Sequence, residues 1–295
     1  MTPTRLTPFA PTSFWNQPLA DDAPLDPLSA TYTADLQRQL TTWLPWINTT
    51  KFSVPVYTVP ADQPTVRVRL TVTYPLDLQA AWDRVPLPPD ARPADGTDKN
   101  LVVWQPSTDT MWEFWQLEKP STGWQARWGG RMTDVSKSEG IYGRSWGATA
   151  TSLPLLGGLI RLDEIRAGHI DHALALAIPQ ARKDWFSWPA QRTDGNVDSP
   201  TAIPAGARLR IDPRVDLSKM RMNPLVRMMA VAAQRYGIVI RDTGGAIVFH
   251  AEDPTPTGTN PYEGPGGWYE NKYPSQILEG FPWQHLQVLR TDQRR

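Results

Sequence analysis

Residues 101–117 read LVVWQPSTDTMWEFWQL, two apolar runs on either side of a segment of turn formers. β-Branched and aromatic side chains fill both runs, and Pro106-Ser107-Thr108-Asp109 supplies the reversal, so the spacing predicts a β-hairpin with strands at 101–105 and 111–117. Period two then divides the second strand: Met111, Glu113, Trp115 and Leu117 on one face, Trp112, Phe114 and Gln116 on the other. Glu113 is thereby set among apolar neighbours.

Working outward towards the N-terminus, Val54, Val56, Val66, Val68, Leu70 and Val72 alternate with polar or prolyl neighbours, as half-buried strands do. Before them Leu36, Leu40, Trp43 and Leu44 recur at spacings of three and four, which predicts an amphipathic helix over 31–44, stopped by Pro45. Residues 86–99 read as a proline-rich loop. Residues 120–150 read as long Gly-, Ser- and Trp-rich loops with a short strand near 124–128.

Towards the C-terminus, residues 162–168 predict one helical turn closed by Gly168 in the left-handed conformation. A strand is predicted over 169–178, with His169, Asp171, Ala173, Ala175 and Ala177 on one face and Ile170, His172, Leu174, Leu176 and Ile178 on the other. The clearest helix is expected over 224–236, capped by Asn223, begun by Pro224 and ended by Gly237. A second hairpin is expected from strands at 238–242 and 246–251 around Thr243-Gly244-Gly245. A Gly-, Pro- and aromatic-rich tail from Pro254 then wraps the surface before a last strand at 285–289. Many short strands and few helices point to a mainly β fold, a β-sandwich or jelly roll with decorating helices; an α+β domain is the alternative. The expected organisation is an N-terminal arm and helix over 1–50, then a single β-sandwich domain over 51–295.

The 295 residues suffice for a sizeable core. Thirty prolines are about twice the usual share and imply loops, while 14 tryptophans imply indole surface that is buried or binds something. Thirty basic and 30 acidic side chains cancel, which removes the electrostatic reason to expect nucleic acid as a partner. No cysteine occurs, so thiolate catalysis and sulfur-ligated metal sites are excluded. The opening MTPTRLTPFAPTSFWNQPL has no basic segment followed by an apolar run, so it is not expected to act as a Sec leader, and no run of about 18 apolar residues follows. Membrane insertion is therefore not expected.

HExxH, GxSxG, P-loop, dinucleotide and calcium-loop patterns are absent. His169 and His172 would face opposite ways on a strand and could not chelate one ion together, so neither metal nor other cofactor is expected. Carboxylates are the strongest chemical thread, because glycosidic hydrolysis uses one protonated and one ionised carboxyl. Glu113 has the apolar setting that raises a pKa. Asp242 at a turn and Asp253 after a strand are candidate partners. For each a plainer role stands beside it: a buried ion pair for Glu113, an Asx turn for Asp242, a solvated strand end for Asp253. His172 is either a core histidine or an acid–base group.

The segments Phe14-Trp15-Asn16, Leu101-Val102-Val103, Met111-Trp112-Glu113-Phe114, LPLLGGLIR at 153–161, GHIDHAL at 168–174, Trp188-Pro189-Ala190 and YGIVIRDTG at 236–244 resemble a large, poorly characterised group of bacterial proteins. The resemblance covers most of residues 100–253. Members are typically secreted and often read LPILPGLVRYDEV…GEIRHALRFTV, with an N-terminal IWN and a LYELF strand. On that pattern the matched polar positions are Glu113, His172 and Asp242. The resemblance implies a family and no settled activity. This chain departs from it at Asp171, where Arg or Asn is common, in an opening segment not expected to act as a leader, and in the long tail after Pro254. Leaderless relatives resemble proteins encoded near phage tail genes.

These readings combine into an expectation of a glycoside hydrolase acting on a cell-envelope or environmental polysaccharide. Glu113 is then the general acid, Asp242 the base or nucleophile, and His172 the group that orients one of them. Trp112, Trp115, Asp171, Trp188, Arg241 and Asp253 are the expected substrate contacts. The alternative is a non-catalytic glycan-binding or structural component of a phage tail tip or virion, open to homo-oligomer or virion assembly. Either would act outside the cell or on a virion. In a third reading Glu113, His172 and Asp242 form one satisfied polar network in the core.

Overall fold

The computed structural model describes residues 8–73 and 76–295; residues 1–7 of the expected arm lie outside them. Among the described residues fifteen strand segments accompany five α-helices, so the chain is mainly β with decorating helices, built on open sheets. No helix among them is long and apolar enough to cross a membrane.

The larger sheet has six strands in the order Pro45–Asn48, Ile247–His250, Leu174–Ile178, Ile238–Thr243, Arg208–Ile211, Leu286–Val288. The second has five, in the order Glu252–Asp253, Val54–Thr58, Leu101–Gln105, Thr110–Trp115, Trp128–Met132. Parallel and antiparallel pairs are mixed in both. The two sheets are joined by a parallel pair of chain segments. Pro45–Asn48 runs beside Ile247–His250 in the first sheet, and Val54–Thr58 runs beside Glu252–Asp253 in the second. Between them residues 49–53 form a longer connection than the single Ala251 opposite, and residues 49–52 of it line the seam where the site lies.

Each face of the six-stranded sheet carries its own core. Leu174, Leu176, Ile178, Ile238 and Ile240 pack on one side with helices Ser29–Thr42 and Pro224–Arg235. Ala173 and Val239 face the other way into a core shared with the five-stranded sheet, Trp15 and the segment from Leu153 to Leu159. The alternation read from 173–178 therefore holds, and the alanine face receives the loop that carries Leu153–Leu159. Gly158 makes that approach possible: its φ is +71°, and a Cβ there would lie 2.4 Å from the Ala175 nitrogen.

Other expectations need correction. The 101–117 hairpin forms, turning through Pro106–Thr108 and a left-handed Asp109. The 238–251 hairpin does not, because Leu174–Ile178 lies between its strands, parallel to Ile238–Thr243 and antiparallel to Ile247–His250. That strand is buried along its whole length, and a doubly covered apolar strand takes a partner on each edge. It also begins at Leu174, not His169, since the Ala173 amide donates to the Trp15 carbonyl at 2.7 Å. The helix near 31–44 spans Ser29–Thr42 and buries Tyr32, Leu36 and Gln39, leaving Leu44 exposed. Pro45 then starts an edge strand, so the N-terminal segment is part of the main body. Helix Pro224–Arg235 forms as read, with the Asn223 side chain accepting from the amides of Leu225 and Val226. The tail does more than wrap: Tyr262, Tyr269, Phe281 and Trp283 enter the first core.

Candidate functional site

Strand Ile238–Thr243 has a β-bulge between Ile240 and Asp242, which pair with Leu176 and Ala177 respectively. The extra residue is Arg241. A bulge breaks the alternation of side chains, and here Arg241 and Asp242 both reach the loop of residues 148–157. Arg241 Nη1 donates to the carbonyls of Leu155 and Gly157, both at 2.8 Å. Asp242 Oδ1 accepts from the Ala150 amide and from its own neighbour Thr243, both at 3.0 Å.

The same loop is fixed from the other sheet by Glu113. Its Oε1 accepts from the Ala148 amide and its Oε2 from the Leu155 amide, each at 2.7 Å. Arg192 adds a third anchor by donating to the carbonyls of Ser145, Gly147, Thr149 and Ala150. Beside Glu113 lies the Tyr142 ring, admitted because the paired residue is Gly130, where a Cβ would come within 2.6 Å of that ring. Burial pushes the Glu113 carboxyl up to about 7, against the opposing pull of the two amides, Arg241 and Tyr142. Burial likewise pushes Asp242 up to about 7; Arg241 and the Ala150 amide oppose the rise, and the charges of Asp194 and Asp98 add to it.

Two cavities meet at Asp242. The first, of about 1090 Å³, lies at the seam between the sheets and is walled by Trp46, Phe52, Asn100, Arg241, His250, Tyr269 and Tyr273 among others. The second, of about 480 Å³, is walled by Trp115, Arg127, Trp128, Arg192 and Asp194. Asp98, Asn100, Asp242 and Thr243 line both, so the two are lobes of one trough with carboxylates at the junction. Trp115 donates its indole N–H to Asp98 Oδ1 at 3.3 Å. Arg127 sits over the Trp115 ring and Arg192 over Trp128, each at 5.8 Å.

Of the residues named from the sequence, Asp242, Arg241 and Trp115 line this trough. The others do not, and each is a correction. Glu113 is fully buried, lines neither lobe and has both oxygens engaged by backbone amides, so it positions a loop. His172 lies in another cluster, its Nε2 2.9 Å from Glu164 Oε2 and its Nδ1 2.8 Å from the Ala173 carbonyl. There burial would raise Glu164, but His172 and Arg161 outweigh it and hold the carboxyl at about 2. Glu113, His172 and Asp242 are therefore not one network.

Trp112 is core, its indole donating to the Ala81 carbonyl at 3.3 Å. Asp171 pairs with His169 at 2.7 Å in a half-exposed loop, because the predicted strand starts after it. Trp188 packs edge-on against Phe14, with centroids 5.2 Å apart, and lines neither lobe. Asp253 is buried and accepts from the Thr255 amide at 2.9 Å, closing a turn. Among the described residues no group of three or more His, Asp or Glu side chains is placed to hold a metal ion.

Residues that the sequence did not mark are Asp98, Asn100, Trp46, Phe52, His250 and the tail residues Tyr269 and Tyr273. Only Asp98 carried a signal, a carboxylate at the end of the proline-rich loop that leads into the hairpin. Comparisons of the chain with protein-family models, with curated proteins and with solved structures found no match.

Proposed function

We propose that the chain is a carbohydrate-active protein that binds a cell-envelope or environmental polysaccharide along the trough and hydrolyses it at the junction of the lobes. One observation carries this reading: two aromatic-walled lobes share the carboxylates Asp98 and Asp242. Sugar rings lay their C–H faces on aromatic surfaces, and a chain filling both lobes would pass its linkage over the junction.

Asp242 takes the role expected of Glu113. With its carboxyl pushed up to about 7, it carries a proton near neutrality and can protonate the glycosidic oxygen as that bond breaks. Asp98 is the second carboxylate, acting on the attacking water or on the anomeric carbon. Glu113 and Arg192 hold the loop that gives Asp242 its Ala150 hydrogen bond, and Arg241 stands beside it. The remaining contacts are made by Trp115 and Trp128 in one lobe and by Trp46, Phe52, Tyr269 and Tyr273 in the other.

The test is release of reducing ends from a panel of bacterial envelope and plant polysaccharides. The wild type is expected to cleave at least one, and Asp242→Asn to lose about 100-fold or more while its melting temperature stays within a few degrees. Undiminished activity of that variant sinks the assignment. Binding without release by the wild type identifies a glycan-binding module, and absence of both removes the carbohydrate reading.

A further inference from the structure

Arg241 is held by one nitrogen, and its other two are buried and unpaired among the described residues. Its Nη1 is fixed by the Leu155 and Gly157 carbonyls. Nε and Nη2 have no hydrogen-bond partner among the described residues, although the side chain is fully buried and lines the larger lobe. Those two nitrogens form one edge of the guanidinium fork, with N–H bonds that run parallel in a plane. Such an edge matches a planar pair of oxygens.

Two more buried polar atoms in the same lobe share this condition, His250 Nδ1 and Asn100 Oδ1, on side chains 8% and 7% exposed. Burial, and then Arg241, push His250 well below its ordinary value, so it is a neutral imidazole that exchanges hydrogen bonds without adding charge. Asn100 is an acceptor for a hydroxyl. Native interiors satisfy buried polar groups, and three such side chains around one cavity describe the ligand that would satisfy them: an oxyanion flanked by hydroxyls.

Charge narrows the choice of oxyanion. With Asp242 holding its proton, the lobe is lined by Lys51, Arg241 and Lys272 against Asp98 and Glu263, an excess of one positive charge that a single negative charge neutralises and a dianion would overshoot. A singly charged, planar carboxylate suits both the charge and the fork.

We propose that the polysaccharide recognised here is acidic, with a sugar carboxylate docked side-on against Nε and Nη2 of Arg241 and its hydroxyls on His250 and Asn100. The proposal rests on the glycan reading above and adds the substrate class.

The experiment follows the Arg241 Nε–H resonance in isotopically labelled full-length protein, assigned by its loss in Arg241→Lys. The probes are glucuronate and galacturonate, their methyl esters, and inorganic phosphate. In parallel, binding of acidic polysaccharides and their carboxyl-reduced forms is measured by calorimetry. The uronates are expected to move the resonance and the esters to leave it, and carboxyl reduction to weaken polysaccharide binding at least tenfold. Arg241→Lys keeps a charge that can reach the same carbonyls and is expected to lose a similar factor. Asn100→Asp, which sets a second negative charge beside the docked one, is expected to weaken acidic ligands alone.

Equal response to esters and acids, a response to phosphate alone, or no response overturns the proposal. Neutral polysaccharide bound as tightly as acidic, and unaffected by Arg241→Lys, overturns it while leaving the glycan reading in place. No binding of any polysaccharide, acidic or neutral, overturns both.

Discussion

Replacing Glu113 with glutamine separates a positioning role from a chemical one. The wild-type carboxyl accepts two backbone amides at 2.7 Å, those of Ala148 and Leu155. Glutamine has one acceptor oxygen, and its NH2 group turns a donor towards the other amide, leaving one buried N–H without a partner at a cost of about 1–3 kcal/mol. For a chain of this size each kcal/mol moves the melting temperature by roughly 2–4 °C, so a loss of about 2–12 °C is expected at pH 5.

The deficit should shrink as the pH rises. Glu113 is pushed up to about 7 in the folded state, against roughly 4.3 in an unfolded chain, so the folded state holds the proton more tightly. The stability this contributes, of order 3 kcal/mol, is fully present below about pH 4 and is lost as the pH climbs through 7. The glutamine variant does not titrate, so the gap between the two melting temperatures closes between pH 5 and pH 8. Scanning calorimetry at four pH values measures it. A gap that stays constant or widens with pH refutes the raised carboxyl. A variant with wild-type melting and no activity returns Glu113 to the chemistry.

Four further outcomes follow from the geometry. Cleavage by the wild type should fall as the pH rises through about 7, where Asp242 loses its proton; a rate that increases through that range contradicts Asp242 as the acid. His172→Ala removes one hydrogen-bond partner from buried Glu164, which keeps its pair with Arg161, and should cost about 1–3 kcal/mol. Because Glu164 is held at about 2, the stability its pairing contributes is present above about pH 4 and lost as the pH falls towards 2, so unfolding titrations of this variant should show less acid dependence than the wild type. Trp115→Ala should weaken glycan binding by about 2- to 10-fold, measured by calorimetry. Trp188→Ala, outside both lobes, should leave that affinity unchanged.

Local patterns in the chain were legible wherever a short segment decides its own state. The 101–117 run carries its turn between its strands, Asn223-Pro224 and Gly237 bracket a helix, and Gly168 ends a helical turn; each depends on neighbours in sequence. The 238–251 segment misleads for the opposite reason. Two strands joined by Thr-Gly-Gly have every local mark of a hairpin, and only the need of Leu174–Ile178 for partners on both edges separates them.

The same division runs through the site. The sequence by itself determined a mainly β chain with decorating helices, Asp242 as a carboxylate at a strand end, and Trp115 and Arg241 as candidate contacts, because residue type and period carry that much. Tertiary structure alone decided that Glu113 is sealed, that His172 belongs to Glu164, and that Asp98, Asn100 and His250 join Asp242 around one trough. The bulge at Arg241 and the crossing of two strands from sheet to sheet bring these groups together. Neither leaves a mark in the period of the sequence, since both depend on which strand the sheet sets alongside which.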